Sequence, residues 1–72
     1  MMITMLGTVL QAWGSQVLIR DNSNGEQVLV NTNYSTHNLY AGDQVRIEFD
    51  GAMTASIPPQ ISAMSICVQR VY

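Results

Sequence analysis

Few residues in this chain have side chains that could do chemistry, and they are scattered. His37 is the only histidine and Cys67 the only cysteine. A histidine that acts as a general base needs a nucleophile and an orienting carboxylate nearby, but no acidic residue lies between Glu26 and Asp43. A reactive thiol needs an electropositive, accessible setting. We therefore interpret His37 as a loop histidine in water and Cys67 as a buried or half-buried small residue of a strand.

Two acidic groupings are the remaining candidates for catalysis or metal binding. Glu48 and Asp50 stand two apart, so on a strand they share one face and could do acid–base work or hold a hard cation. Arg46 on the same face favours an ordinary charged exterior. Residues 21–26 alternate oxygen ligands, but a calcium-binding EF-hand loop needs twelve residues and flanking helices. We expect a hairpin turn there, and we predict no catalytic residue, no metal site and no cofactor. The protein is expected not to be an enzyme.

Composition and charge narrow the class of partner. The 72 residues form one small domain, residues 1–72, and 47% hydrophobic against 11% charged residues excludes a disordered chain. Three arginines, no lysine and a net charge of −2 cannot form the basic stripe that nucleic-acid binding requires. No apolar run approaches the roughly 18 residues of a membrane helix. We therefore expect neither a nucleic-acid partner nor a membrane span.

The periodicity of the hydrophobic residues is that of strands. Val45, Ile47 and Phe49 alternate with polar residues over 43–50, which is typical of a strand with one face in a core. Gly7 interrupts the first extended run, and a glycine inside a strand is typical of a bulge or a sharp bend. We predict five strands, at residues 3–12, 16–21, 26–32, 43–50 and 60–72.

These strands predict an all-β fold, a small five-stranded OB-like barrel with its first strand bent at Gly7. Closing the sheet removes the exposed edges of so small a structure. An SH3-like barrel is the alternative, but the long connection at 33–40, which has room for one helical turn, favours the OB-like barrel. The chain has no disulfide, and without a metal either closure or a second chain must add stability. A homodimer through the final strand therefore stays open.

One loop is longer than its structural task requires. Residues 51–59 join two strands with nine residues, whereas two to five are usual. In OB-type barrels the β1–β2 and β4–β5 loops flank the ligand-binding face. The turn at Trp13 and this loop occupy those positions, and an exposed tryptophan either covers a barrel end or meets a partner. The predicted ligand-binding or partner-binding residues are Trp13, Met53, Thr54, Ser56, Pro58 and Pro59.

Residues 41–61 resemble the second half of the YobA-like domains of unknown function, small proteins from Gram-positive bacteria. The shared pattern is Gly-Asp-x-Val at 42–45, Asp-Gly at 50–51 and Ser-x-Pro-Pro-Gln at 56–60. The first strand and the Trp-Gly turn at 13–14 are compatible with it. The resemblance covers about half the chain and implies a shared fold. It implies no catalytic activity, because that family has none established.

These observations predict a non-catalytic binding or interaction module whose partner is a protein or a peptide. The alternative is a structural protein that assembles through an exposed edge strand. If Met1 is the natural start, the expected location is the cytoplasm. Otherwise the chain is the mature part of an exported or cell-surface protein, as YobA-like proteins often are.

Overall fold

The computed structural model describes residues 1–33, 36 and 38–69. These contain five strands: β1 (Ile3–Trp13), β2 (Gln16–Asp21), β3 (Gln27–Asn31), β4 (Gln44–Phe49) and β5 (Gln60–Gln69). Every strand starts within one residue of its predicted position, and β1 to β4 also end within one. The predicted end of β5, at residues 70–72, lies outside the described residues.

The five strands form a closed barrel in the order β1-β2-β3-β5-β4. β3 and β5 run parallel, whereas the other four neighbouring pairs are antiparallel. The predicted all-β, five-stranded barrel is confirmed, and the return of β4 to β1 with one parallel pair favours the OB-like arrangement. The helical turn allowed for at 33–40 falls partly on residues 34, 35 and 37, which lie outside the described part of the chain.

β1 closes the barrel because it pairs with two strands in succession. Residues 3–8 pair with β4 and residues 7–13 with β2, so the strand changes partner at Gly7. A Cβ atom at Gly7 would stand 2.7 Å from Ile19 Cδ1 and 3.1 Å from the carbonyl oxygen of Arg20. Only glycine lets the two strands approach so closely. The register then shifts past Leu10, a one-residue bulge that adds to the curvature.

Alternate side chains of all five strands fill the barrel interior. Val17, Ile19, Val30 and Ile47 have no exposed surface, and the predicted inward face of Val45, Ile47 and Phe49 is confirmed. Most of the interior residues are β-branched, which suits both the pleated sheet and close packing. Among the described residues there is no helix of the length and hydropathy that a membrane crossing requires.

Two connections carry the predicted binding residues, and a backbone carbonyl of each accepts hydrogen bonds that hold it in place. Gly14 makes the tight β1–β2 turn with φ +57°, and its carbonyl oxygen accepts hydrogen bonds from Thr36 N at 3.2 Å and Thr36 Oγ1 at 3.0 Å. At the end of the β4–β5 connection, the carbonyl oxygen of Pro59 accepts from N of Leu29, the middle residue of β3, at 2.9 Å, which fixes the start of β5 beside β3. The turn at Trp13 is therefore anchored to Thr36, and the β4–β5 connection is anchored to the middle of β3.

Candidate functional site

The β4–β5 loop, residues 50–59, is held by hydrogen bonds through its serine and threonine. Thr54 N donates to the carbonyl of Gln60 at 3.0 Å, and Gln60 N donates back to Thr54 Oγ1 at 2.9 Å. Ser56 Oγ lies 2.6 Å from Thr54 Oγ1 and donates to the carbonyl of Pro58 at 2.9 Å. Side-chain hydroxyls thus replace the strand ladder along this segment, and the loop has a defined shape despite its length.

This loop presents an aliphatic side chain to solvent at its far end. Ile57 is 99% exposed, whereas Pro58 and Pro59 are half-buried against the barrel. A cavity of about 390 Å³, here called the Ile57 groove, lies between the loop and the start of β3. Its lining residues are Glu26, Gln27, Ile57, Pro58 and Pro59. A fixed loop beside a groove can hold a contact residue in place before a partner arrives.

Met53 and Thr54 face a smaller cleft on the β5 side of the loop. This cleft has a volume of about 240 Å³ and is completed by Gln60 and Ile61 of β5. Met53 is exposed there. Its flexible thioether suits an adaptable contact surface, so two sides of the same loop carry accessible apolar groups.

Trp13 is placed apart from this loop. It lies opposite Gln16 in the β1–β2 register, and Gln16 lies opposite Asn31, the last residue of β3. The Ile57 groove adjoins Gln27, the first residue of β3. At about 3.3 Å per residue, roughly 13 Å of strand separates the two ends. The structure therefore groups the predicted residues of the loop and sets Trp13 at the other end of the β2–β3 surface.

Sequence reasoning missed Ile57 and a set of outward-facing amides. Ile57 stands between two predicted site residues, and its aliphatic side chain in an otherwise small and polar loop was the available signal. Gln16 and Asn31 occupy outward positions that strand alternation already assigns. The contacts of Asn31 with Gln16 and with Gln60 depend on the register between separate strands, which alternation does not reveal.

The acidic groupings have structural tasks. Glu48 Oε1 accepts from Ser65 Oγ at 3.0 Å across the outer face of β4 and β5. Asp50 Oδ1 accepts from Ala52 N at 2.9 Å in a local turn. Asp21 Oδ1 accepts from Ser23 N at 2.9 Å and Ser23 Oγ at 2.8 Å, so residues 21–26 form the expected hairpin turn. Within the described ranges, no three histidine, cysteine or acidic side chains are close enough to share a metal ion.

Cys67 and His37 are the two remaining candidates for chemistry. The expectation of a buried or half-buried Cys67 is wrong, because the thiol is exposed. Cys67 lies opposite Arg46 in the β4–β5 register, and both face outward. His37 lies outside the described residues.

Comparison with known proteins identifies a shared fold. No protein-family model matches this chain, and no curated protein matches it. Among solved structures, a yobA protein from Bacillus subtilis subsp. subtilis strain 168 is similar, with a TM-score of 0.77 over 96% of each chain. The sequence identity is 14%. The resemblance to the YobA-like domains is therefore confirmed at the level of the fold.

Proposed function

We propose that this protein is a non-enzymatic binding module whose partner is a protein or a peptide, bound at the Ile57 groove. The observation that carries the proposal is the full exposure of Ile57 on a loop with a hydrogen-bonded shape. Single exposed aliphatic residues are common on protein surfaces. Here the exposed side chain borders a groove, and the loop that holds it would lose little conformational entropy on binding.

The lining of the groove indicates what kind of segment fits. Ile57, Pro58 and Pro59 offer apolar surface, and Glu26 supplies a carboxylate at the edge. A complementary segment carries an apolar side chain next to a lysine or an arginine, which would meet Glu26. The groove volume of about 390 Å³ accommodates a few residues of such a segment rather than a folded domain.

The non-enzymatic part of the proposal is supported by the positions of the reactive side chains. Asp21, Glu48 and Asp50 accept hydrogen bonds that shape turns or join strands. These three carboxylates serve the scaffold, whereas general acid–base catalysis requires such groups to converge on one reacting atom. The groove itself offers a single carboxylate, at Glu26.

Selection from a random peptide display library tests the binding role. We expect enriched peptides that carry an apolar residue beside a basic one, and we expect Ile57→Ser to weaken their binding at least roughly tenfold. Met64→Ser is the matched control, because Met64 is also exposed but does not line the groove: it lies in β5 where the β4–β5 register shifts between Ala63 and Ser65. Equal binding by Ile57→Ser, or no enrichment at all, would contradict the proposal.

An assembly role through an edge strand is the second candidate, and β1 supplies its supporting observation. The β1–β2 ladder begins at Gly7, so residues 3–6 are paired with β4 alone. Asn22 N donates to the carbonyl of Leu6 at 2.9 Å at the point where this edge begins. A cavity of about 550 Å³ runs beside residues 3–6 and the turn at 21–23. An added strand could occupy it by β-augmentation.

Light scattering coupled to size exclusion tests the assembly role. If a second copy occupies this edge, the molar mass should rise with concentration, and Leu6→Lys should abolish the rise by placing a charge on the exposed edge. Ile57→Ser serves as the control that leaves this edge intact. A monomer at every concentration would remove the assembly candidate and leave the peptide-binding proposal standing.

A further inference from the structure

A row of three amide side chains crosses the outer surface of the barrel beside Trp13. Gln16 Nε2 donates to Asn31 Oδ1 at 2.9 Å, and Asn31 Nδ2 donates to Gln60 Oε1 at 3.2 Å. The row thus joins β2, β3 and β5, and we call it the amide row. Trp13 lies opposite Gln16 in the β1–β2 register, so both side chains stand on the same outer face.

The amide row retains hydrogen-bonding capacity at both ends. An amide side chain offers two N–H donors and an accepting oxygen. Among the described residues, the Gln16 oxygen and both N–H groups of Gln60 Nε2 take part in no hydrogen bond. All three amides are half-buried, which limits their freedom while leaving them within reach of a ligand. The row therefore presents an acceptor at one end and donors at the other.

Among the described residues, the surroundings of the row are uncharged and include one aromatic platform. Trp13, at the end of β1 beside the row, is 44% exposed. The charged group of β2 on this outer face is Arg20, four residues from Gln16 and so about 13 Å along the strand. Neighbouring outward residues Leu18 and Leu29 are half-buried and apolar. These described residues suit a neutral ligand that carries both donors and acceptors.

From this arrangement we infer that the surface formed by Trp13 and the amide row binds a neutral carbohydrate chain. Sugar hydroxyls both donate and accept hydrogen bonds, so they match amides whose donor and acceptor groups alternate. The electron-rich face of an indole ring attracts the weakly positive C–H groups of a pyranose ring. The described residues of this surface include no cation that would hold a polyanionic ligand. The site shares no lining residue with the Ile57 groove, although Gln60 directly follows Pro59, and it does not depend on the proposed peptide-binding function.

Trp13 is the only tryptophan, so fluorescence excited selectively in tryptophan rather than in the three tyrosines reports on this surface alone. We expect saturable shifts in the Trp13 emission on titration with at least one neutral hexasaccharide from cellulose, amylose, xylan or chitin. Calorimetry should then show that Asn31→Ala weakens the binding roughly tenfold and that Trp13→Ala abolishes it. Trp13→Tyr should retain part of the affinity, since it keeps an aromatic face. Far-ultraviolet circular dichroism confirms that each variant is folded.

Two controls separate this inference from the alternatives. Ile57→Ser should bind the hexasaccharide as the unchanged protein does, because Ile57 lies at the other end of β3. A polyalanine hexapeptide should produce no saturable shift. The inference is overturned by an absence of any response to the four sugars at about 10 mM, by a response to the peptide alone, or by a sugar affinity unchanged in folded Asn31→Ala.

Discussion

At the scale of single residues, Gly7 has the least room for change. A valine there would place its Cβ 2.7 Å from Ile19 Cδ1, and Ile19 is fully buried, so its side chain cannot move into solvent. Overpacking of this kind costs about 1–3 kcal/mol or more. In a domain of this size that is a large part of the total stability. We expect Gly7→Val to lower the melting temperature steeply or to leave the chain unfolded, as followed by circular dichroism.

The control for Gly7 lies next to it in the same strand. Leu6 faces outward and is exposed, so Leu6→Val introduces the same β-branched residue without a clash. Its melting temperature should stay close to that of the unchanged protein. If Gly7→Val melts like Leu6→Val, β1 and β2 do not approach each other as closely as the structure shows.

Asn22 takes part in a closed ring of three side-chain hydrogen bonds, each 2.9 Å long, that joins β1, β4 and the β2–β3 turn. Thr8 Oγ1 donates to Asn22 Oδ1, Asn22 Nδ2 donates to Gln44 Oε1, and Gln44 Nε2 donates to Thr8 Oγ1. We expect Asn22→Ala to lower the free energy of unfolding by about 1 kcal/mol in urea. The same change made together with Gln44→Ala should cost less than the sum of the two. Strict additivity would show that the ring does not act as a unit.

At the scale of elements, the β4–β5 loop depends on the hydroxyl of Thr54. Thr54→Val keeps the size and branching of the side chain but removes the acceptor for Gln60 N and the contact with Ser56. We expect amide hydrogen exchange to speed up at Gln60, whereas exchange in the barrel strands should stay unchanged. Ala55→Ser, at an exposed neighbouring position, is the control. Unchanged exchange at Gln60 in Thr54→Val would mean that the loop is held by other contacts.

The strands could be predicted from the sequence because the alternation of apolar and polar residues within each strand shows which side chains are buried. Alternation at Val45, Ile47 and Phe49 records which side faces the core, and the Gly-containing turns mark where strands end. The amide row could not be predicted in the same way. Gln16 and Asn31 are 15 residues apart, and Asn31 and Gln60 are 29 apart. Their contact follows from the register of separate strand pairs, which is set by barrel closure as a whole.

For the candidate loop too, some properties could be predicted from the local sequence and others could not. Its excess length and its Thr, Ser and Pro content are visible in the sequence. Its distance from Trp13 is not, because that distance depends on the parallel pairing of β5 with β3. The local pattern therefore predicts which loop carries contacts but not which residues share a surface. Trp13 lies beside the register of the last residue of β3 and the Ile57 groove beside its first residue, so the predicted residues do not lie together.

At the scale of the whole molecule, the barrel buries the residues that stabilise it and leaves other apolar residues exposed. Two isoleucines illustrate this difference. Ile47 has no exposed surface, whereas Ile57 is 99% exposed. Truncating a buried isoleucine to alanine costs about 2–5 kcal/mol through lost burial and the cavity left behind. A surface truncation usually changes stability by less than about 0.5 kcal/mol. Ile47→Ala should therefore unfold much or all of the protein at room temperature, and Ile57→Ala should leave its urea midpoint unchanged. A clear loss of stability in Ile57→Ala would mean that this side chain packs within the fold. The proposal that the Ile57 groove is a contact surface would then be contradicted.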